Sequence, residues 1–379
     1  MRRIVLAPQA FKESLTGLDV ARAMDAGLRA VWPEAETVLV PVADGGDGTL
    51  RSLVDASGGR TETATVTDPL GRPVEAEWGT LGDGRTAVIE MARSSGLALL
   101  RPAERNPLLT TTRGVGELMR AALDRGFRRL IVGVGGSATV DGGAGMAQAL
   151  GAELLDEAGN PLEPGGGALA RLARLDLSGL DPRLAATAVD VACDVTNPLV
   201  GELGAAAVFG PQKGATPEMV WLLEDGLGRL ADVLLRDTGK DVRYLPGAGA
   251  AGGLGAGLHA FAGARLRSGA DIVLEAVGLE EKLEGADLVL VGEGRMDGQT
   301  IFEKAPVAVA RRAKRRGIPV VAIVGSLGDG FRAVHEHGVD AVFSLVDGPT
   351  RLEEAMADAA RLVAQATEEV CRALAACRR

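Results

Sequence analysis

Carboxylates, a handful of cations and clustered glycines recur together in this chain, in loops that follow short apolar runs. The acidic members are Asp44, Asp47, Asp141, Asp194, Glu293 and Asp297, and the cations are Lys12, Lys213, Arg295 and Lys304. No histidine or cysteine stands among them as a nucleophile, so the inventory suits positioning, Mg²⁺ and one base better than a covalent intermediate. Phosphoryl transfer to a small hydroxy acid needs an anion nest, a cation for the substrate carboxylate and an Asp facing the attacking hydroxyl. All three are available.

The densest stretch is 130–147, where Leu130, Ile131, Val132 and Val134 form a strand-length apolar run that empties into glycines. Gly133, Gly135, Gly136, Gly142, Gly143 and Gly145 permit positive φ and let backbone N–H groups converge on an anion, with Ser137 and Thr139 as further donors. Asp141 would repel that anion unless a cation or a substrate hydroxyl lies between them. A second glycine run, 246–257, contains Gly252 and Gly253. Asp44 and Asp47 fall in a glycine turn that can hold Mg²⁺ through water, or can serve as an Asx turn and a helix cap.

Two other readings compete. Gly247-x-Gly249-x-x-Gly252 and Gly133-x-Gly135-x-x-Ala138 match a dinucleotide fingerprint, which makes an NAD-dependent dehydrogenase of a small hydroxy acid the alternative. Against it, the first motif lacks a preceding strand, and the second places Asp141 where a pyrophosphate would sit. A non-enzymatic two-domain binding protein would have little use for so many carboxylates. No Gly-x-x-x-x-Gly-Lys-Ser/Thr occurs, which excludes a P-loop enzyme.

The elements that must position these loops alternate between strand and helix at both ends of the chain. Ile4–Ala7, Val38–Val42, Asp287–Val291, Val320–Val324 and Ala341–Val346 read as strands, with helices after Thr16, after Thr49, over 306–316 and over 351–376. From Arg60 the texture changes to alternating threonines and hairpin signals. At 379 residues two domains are expected. The predicted fold is α/β: a Rossmann-like parallel-sheet domain of residues 1–62 plus 280–379, interrupted by an inserted mixed α/β domain of residues 63–279, with the active site in the cleft between them.

Composition narrows the class further. A net charge of −10 and an aromatic content of 3% disfavour nucleic acid, which wants basic surface and stacking platforms. The N-terminal apolar run is too short for a signal peptide and no run reaches membrane-spanning length, so a cytoplasmic protein is expected. Cys193, Cys371 and Cys377 are read as free thiols, and His335 and His337 as solvent-side residues.

Six motifs then resemble the bacterial glycerate kinase family, type I. They are Pro41-Val-Ala-Asp-Gly-Gly-Asp-Gly-Thr, Gly135-Gly-Ser-Ala-Thr-Val-Asp-Gly-Gly-Ala-Gly, Ala192-Cys-Asp-Val-Thr-Asn-Pro-Leu, Phe209-Gly-Pro-Gln-Lys-Gly-Ala, Gly247-Ala-Gly-Ala-Ala-Gly-Gly-Leu-Gly and Gly292-Glu-Gly-Arg-Met-Asp. The resemblance covers essentially the whole chain. It implies ATP-dependent phosphorylation of D-glycerate with Mg²⁺, giving 2-phosphoglycerate, with small molecules as the partners and a homo-oligomer compatible with the reading. On this basis Lys12 and Arg295 would clamp the substrate carboxylate or the moving phosphoryl group, with Lys304 beside them and Ser14 and Asn197 on the substrate. Asp194 or Asp297 would accept the hydroxyl proton. Gly135, Gly136 and Ser137, and the loop at Gly252 and Gly253, would bind nucleotide or phosphate, and Asp44, Asp47, Asp141 and Glu293 would serve the metal. The chain departs from the family where Gln9-Ala10 replaces Asp-Ser, Val140 replaces Asn, Asp47 replaces Glu and Glu303 replaces Gly.

Overall fold

A computed structural model describes residues 1–11, 13–43, 48–301, 304–346 and 348–377. Lys12, Asp44, Asp47 and Glu303 therefore lie outside the described residues. The chain divides into two compact units, one of Met1–Asp44, Arg51–Gly58 and Ala270–Arg379, the other of Gly45–Leu50 and Gly59–Gly269.

The first unit is built on a five-stranded, wholly parallel sheet, in the order Ala341–Ser344, Val320–Val324, Leu288–Gly292, Arg3–Pro8, Glu36–Leu39. Its two central C-terminal strands, Leu-Val-Leu-Val-Gly and Val-Val-Ala-Ile-Val, are buried along their whole length. Such unbroken β-branched runs can only be satisfied by cover on both faces, and parallel crossovers supply it. Helix Gly17–Arg29 begins at the Thr16 cap, whose hydroxyl accepts from Asp19 N at 3.2 Å. It packs on helix Ala359–Ala376, and Gly27 makes the approach possible, because a Cβ there would lie 2.0 Å from the Ala364 carbonyl oxygen. The single helix expected over 351–376 is two, Leu352–Ala357 and Ala359–Ala376, broken at Asp358. The second strand is Glu36–Leu39, shorter and earlier than Val38–Val42, with the chain continuing as an isolated bridge from Val42 to Gln9.

The second unit carries a six-stranded mixed sheet, ordered Arg265–Arg267, Ala188–Ala192, Arg129–Gly133, Thr86–Glu90, Pro73–Thr80, Arg60–Thr67. The first four run parallel, and the last two form the hairpin that the threonine alternation predicts. Trp78 anchors its end of the core, meeting Phe127 edge-on at 5.9 Å under the Arg125 guanidinium. The long helix Pro217–Thr238 starts at Thr216, which accepts from Met219 N, and stops at Gly239 in the left-handed region. Helix Ala250–Ala262 enters through three residues of positive φ, Ala251, Gly252 and Gly253.

Candidate active site

In the first unit the ends of three parallel strands deliver a hollow of about 720 Å³ lined by Gln9, Ser14, Glu293, Arg295, Asp297 and Lys304, among others. Two two-residue strands, Arg295–Met296 and Ser326–Leu327, pair beyond the main sheet and fix the loop that carries Arg295 and Asp297. Gly328 lets the paired loops meet, since a Cβ there would stand 2.8 Å from Asp297 Cβ. Arg295 Nε lies 3.6 Å from Asp297 Oδ2, with the Arg side chain 68% exposed and free to reach a ligand. Asp297 Oδ1 accepts from Gln299 N at 2.9 Å, and Thr300 Oγ1 accepts from Asp297 N at 3.0 Å, so the carboxylate sits in a rigid turn.

Behind them Glu293 is buried. Its Oε2 is 3.6 Å from Lys304 Nζ, while Oε1 has no hydrogen-bond partner among the described residues. Burial pushes the Glu293 carboxyl up to about 7, against the pull of the Lys304 ammonium. Lys304 immediately precedes helix Ala305–Arg315, which has Pro306 in its first turn. Ser14, expected on the substrate, lines this hollow, and its hydroxyl donates to Met356 O at 2.9 Å, leaving its lone pairs open.

In the second unit a hollow of about 410 Å³ opens at the carboxyl ends of strands Arg129–Gly133 and Ala188–Ala192, lined by Gly135, Gly136, Ser137, Cys193, Asp194 and Gln212 among others. Gly136 has φ +69°. The carbonyls of this turn are held from behind: Gly136 O accepts from Leu97 N at 2.8 Å, Ala138 O from Thr110 Oγ1 at 2.8 Å and Thr139 O from Lys213 Nζ at 2.7 Å. Among the described residues nothing accepts from the N–H groups of Gly135 and Gly136. Asp194 is exposed beside them, its Oδ1 accepting from Gly269 N at 2.8 Å. Cys193 donates to Val195 O at 3.1 Å, and burial pushes its thiol up, as suits an unreactive wall residue.

Several residues grouped by sequence are separated here. Of the glycine stretch only residues 135–137 are open; 138–147 are buried. Asp141, placed on the metal by sequence, is fully buried and accepts from Thr112 N, Thr112 Oγ1, Gly143 N and Gly145 N at 2.8, 2.9, 3.1 and 3.2 Å. It organises the loop, and burial pushes its carboxyl up against those four bonds. Gly252 and Gly253 are buried too: a Cβ at Gly252 would lie 1.9 Å from Thr139 O. They form a packing seam with 139–142, and the open amides belong to the other glycine loop. Asn197 donates to Leu203 O at 2.8 Å and does not line the second hollow. Lys213, counted with the loop cations, is 1% exposed. Gln212 lines the hollow without having been singled out, and Cys193 does so although it was read only as a free thiol; their positions inside motifs already noted were the available signal.

The residues 4–375 match the model of the Glycerate kinase family. The chain belongs to that family. It is 53% identical over 368 residues to a glycerate kinase of Bacillus subtilis (strain 168), covering 97% of this chain and 96% of that protein. It is 50% identical over 373 residues to a glycerate 2-kinase of Escherichia coli (strain K12), covering 98% of each. Among solved structures, a Salmonella typhimurium LT2 protein assigned as a glycerate kinase 2 superposes with a TM-score of 0.93 at 51% identity, over 100% of this chain and 99% of that one. Glycerate kinase family membership makes the protein a phosphotransferase with an alcohol group as acceptor, and displaces the dehydrogenase alternative. Among the described residues no helix is long and apolar enough to cross a membrane.

Proposed function

We propose that this protein transfers the terminal phosphoryl group of ATP to the 2-hydroxyl of D-glycerate, giving 2-phosphoglycerate and ADP. The observation that carries this reading is the Arg295, Lys304 and Asp297 constellation around buried Glu293, in a chain half identical to glycerate kinases along its length. Arg295, exposed and forked, offers paired N–H donors to the glycerate carboxylate. Lys304, pinned at a helix start, adds a second positive charge that falls on the phosphoryl group as negative charge shifts during transfer. Asp297 accepts the proton of the attacking hydroxyl, whose oxygen then bonds the phosphorus as the bond to ADP breaks. In the second unit the Gly135 and Gly136 amides and Ser137 receive nucleotide phosphates.

Mg²⁺ fits the residues present: Glu293 keeps one buried oxygen with no partner among the described residues, and Asp297 adds a second hard donor near it. One or two carboxylates plus phosphate oxygens and water are the usual magnesium set. Glu293 and Asp297 would hold the ion, which when bound neutralises charge on the transferring phosphates. Incubation with ATP, Mg²⁺ and D-glycerate, followed by phosphorus NMR, should reveal a new ester at carbon 2; an ester at carbon 3 overturns the regiochemistry, and no ester overturns the reading. Asp297→Asn should lower kcat by about 10²-fold or more with a small change in KM, whereas Asp194→Asn should leave kcat within a few-fold; the reverse result would make Asp194 the base.

A further inference from the structure

Lys213 has no part in the chemistry above, yet it is one of the largest fully buried side chains in the protein, at 1% exposure. A buried ammonium is costly unless something makes use of it. Its Nζ donates to Thr139 O at 2.7 Å, and the charge of Asp141 acts on it through the same loop. The turn that carries it is rigid: Lys213 N bonds Gly210 O at 3.0 Å, Ala215 N bonds the same carbonyl at 3.1 Å, and Gly214 closes the turn with φ +93°. Its neighbour Gln212 lines the second unit's hollow. Lys213 thus lies buried directly after a residue that lines that hollow, with its amine on the carbonyl of Thr139.

We propose that Lys213 is a positioning residue for the anion-binding turn: by holding the Thr139 carbonyl from behind, it keeps the Gly135 and Gly136 N–H groups directed into the hollow that receives nucleotide phosphates. The inference rests on the assignment of that hollow to nucleotide. Leu97 N and Thr110 Oγ1 secure the Gly136 and Ala138 carbonyls, so with Lys213 on the Thr139 carbonyl three carbonyls within four residues are anchored and the backbone that follows the open amides is fixed. Among the three, Lys213 alone can carry a positive charge, which favours a nearby anion while the amine is protonated; burial pulls its pKa down to about 7. The buried Thr139 hydroxyl, which has no hydrogen-bond partner among the described residues, adds no competing anchor.

The test is Lys213→Met, which keeps length and apolar bulk and removes the donor and charge. A residue needed only for folding would lose stability on this change. A positioning residue predicts an unchanged or higher urea midpoint, KM for ATP raised ~tenfold, and KM for D-glycerate and saturated kcat within a few-fold of the wild type. Calorimetry with a non-hydrolysable ATP analogue should show the same loss of affinity. A folded variant that binds the analogue like the wild type overturns the proposal. If Lys213→Met does not fold, Lys213→Gln, which keeps a donor for the carbonyl, should still bind the analogue more weakly, and equal binding overturns the proposal. Wild-type enzyme that binds the analogue but fails to phosphorylate D-glycerate would sink the functional reading while leaving this readout intact.

Discussion

Glu293 is the residue where burial, charge and chemistry meet. Its carboxyl is raised from 4.5 to about 7, chiefly by burial, so the folded state holds this proton more tightly than the unfolded state does. The contribution to stability is therefore fully present below pH 4.5 and is lost as pH rises through 7. Glu293→Gln, neutral at every pH, should be more stable than the wild type at pH 8 by up to about 3 kcal/mol, the gap closing toward pH 4.5. Urea unfolding at both pH values measures it, and a constant gap would show that the carboxyl does not titrate there. Lys304, 30% exposed, loses its partner in this variant but can turn to water. Sequence proximity found Glu293, Arg295 and Asp297 together, whereas the split between a buried acid and a half-buried one needed the fold.

At the scale of elements, the strand runs and helix caps were legible because each is a local decision. Thr16 caps its helix through a hydroxyl three residues from the N–H it accepts, and no distant residue is required. The glycine loops were legible as loops but not as surfaces. Gly252 illustrates the reason: its φ of +68° is a local property, while the 1.9 Å approach to Thr139 O belongs to a segment more than 100 residues away in sequence. Gly252→Ala should destabilise the protein by about 3 kcal/mol or more, since it adds backbone strain to a steric clash. A denaturant midpoint unchanged from the wild type would show that the seam is not tight. Gly201→Ala makes the control: φ there is +95° but no atom stands within 4 Å of the added Cβ, so only the smaller backbone strain applies.

For the whole molecule, the first unit's sheet is completed by pairing the two ends of the chain: Leu6 faces Leu290, and the Glu36–Leu39 strand adds to the opposite edge of Arg3–Pro8. The second unit draws the six strands of its main sheet from a single stretch between Arg60 and Arg267. A fragment of residues 45–269 should therefore fold alone, with a cooperative thermal transition by circular dichroism, because it contains its whole sheet, its core and the bond from Leu50 N to Glu90 Oε1. Residues 1–58 alone should not, since Arg3–Pro8 would lack Leu288–Gly292 along one edge. A non-cooperative melt of the first fragment would mean that its core depends on the rest of the chain. The pairing of distant ends also implies slow folding of the first unit, because loop closure precedes the contacts that reward it.

The amino-acid order by itself determined the strand runs, the caps, the hairpin, the glycine turns and the motifs that mark the family, because each is set by residues within a few positions of one another. Only the tertiary structure decided which of those loop residues meet solvent. Asp141, Lys213, Gly252 and Asp194 are alike in being polar or glycine residues after apolar runs, yet three are sealed and one is exposed. Burial depends on what the rest of the chain stacks over a residue, and that is a sum over contacts distant in sequence, with no local signature to read.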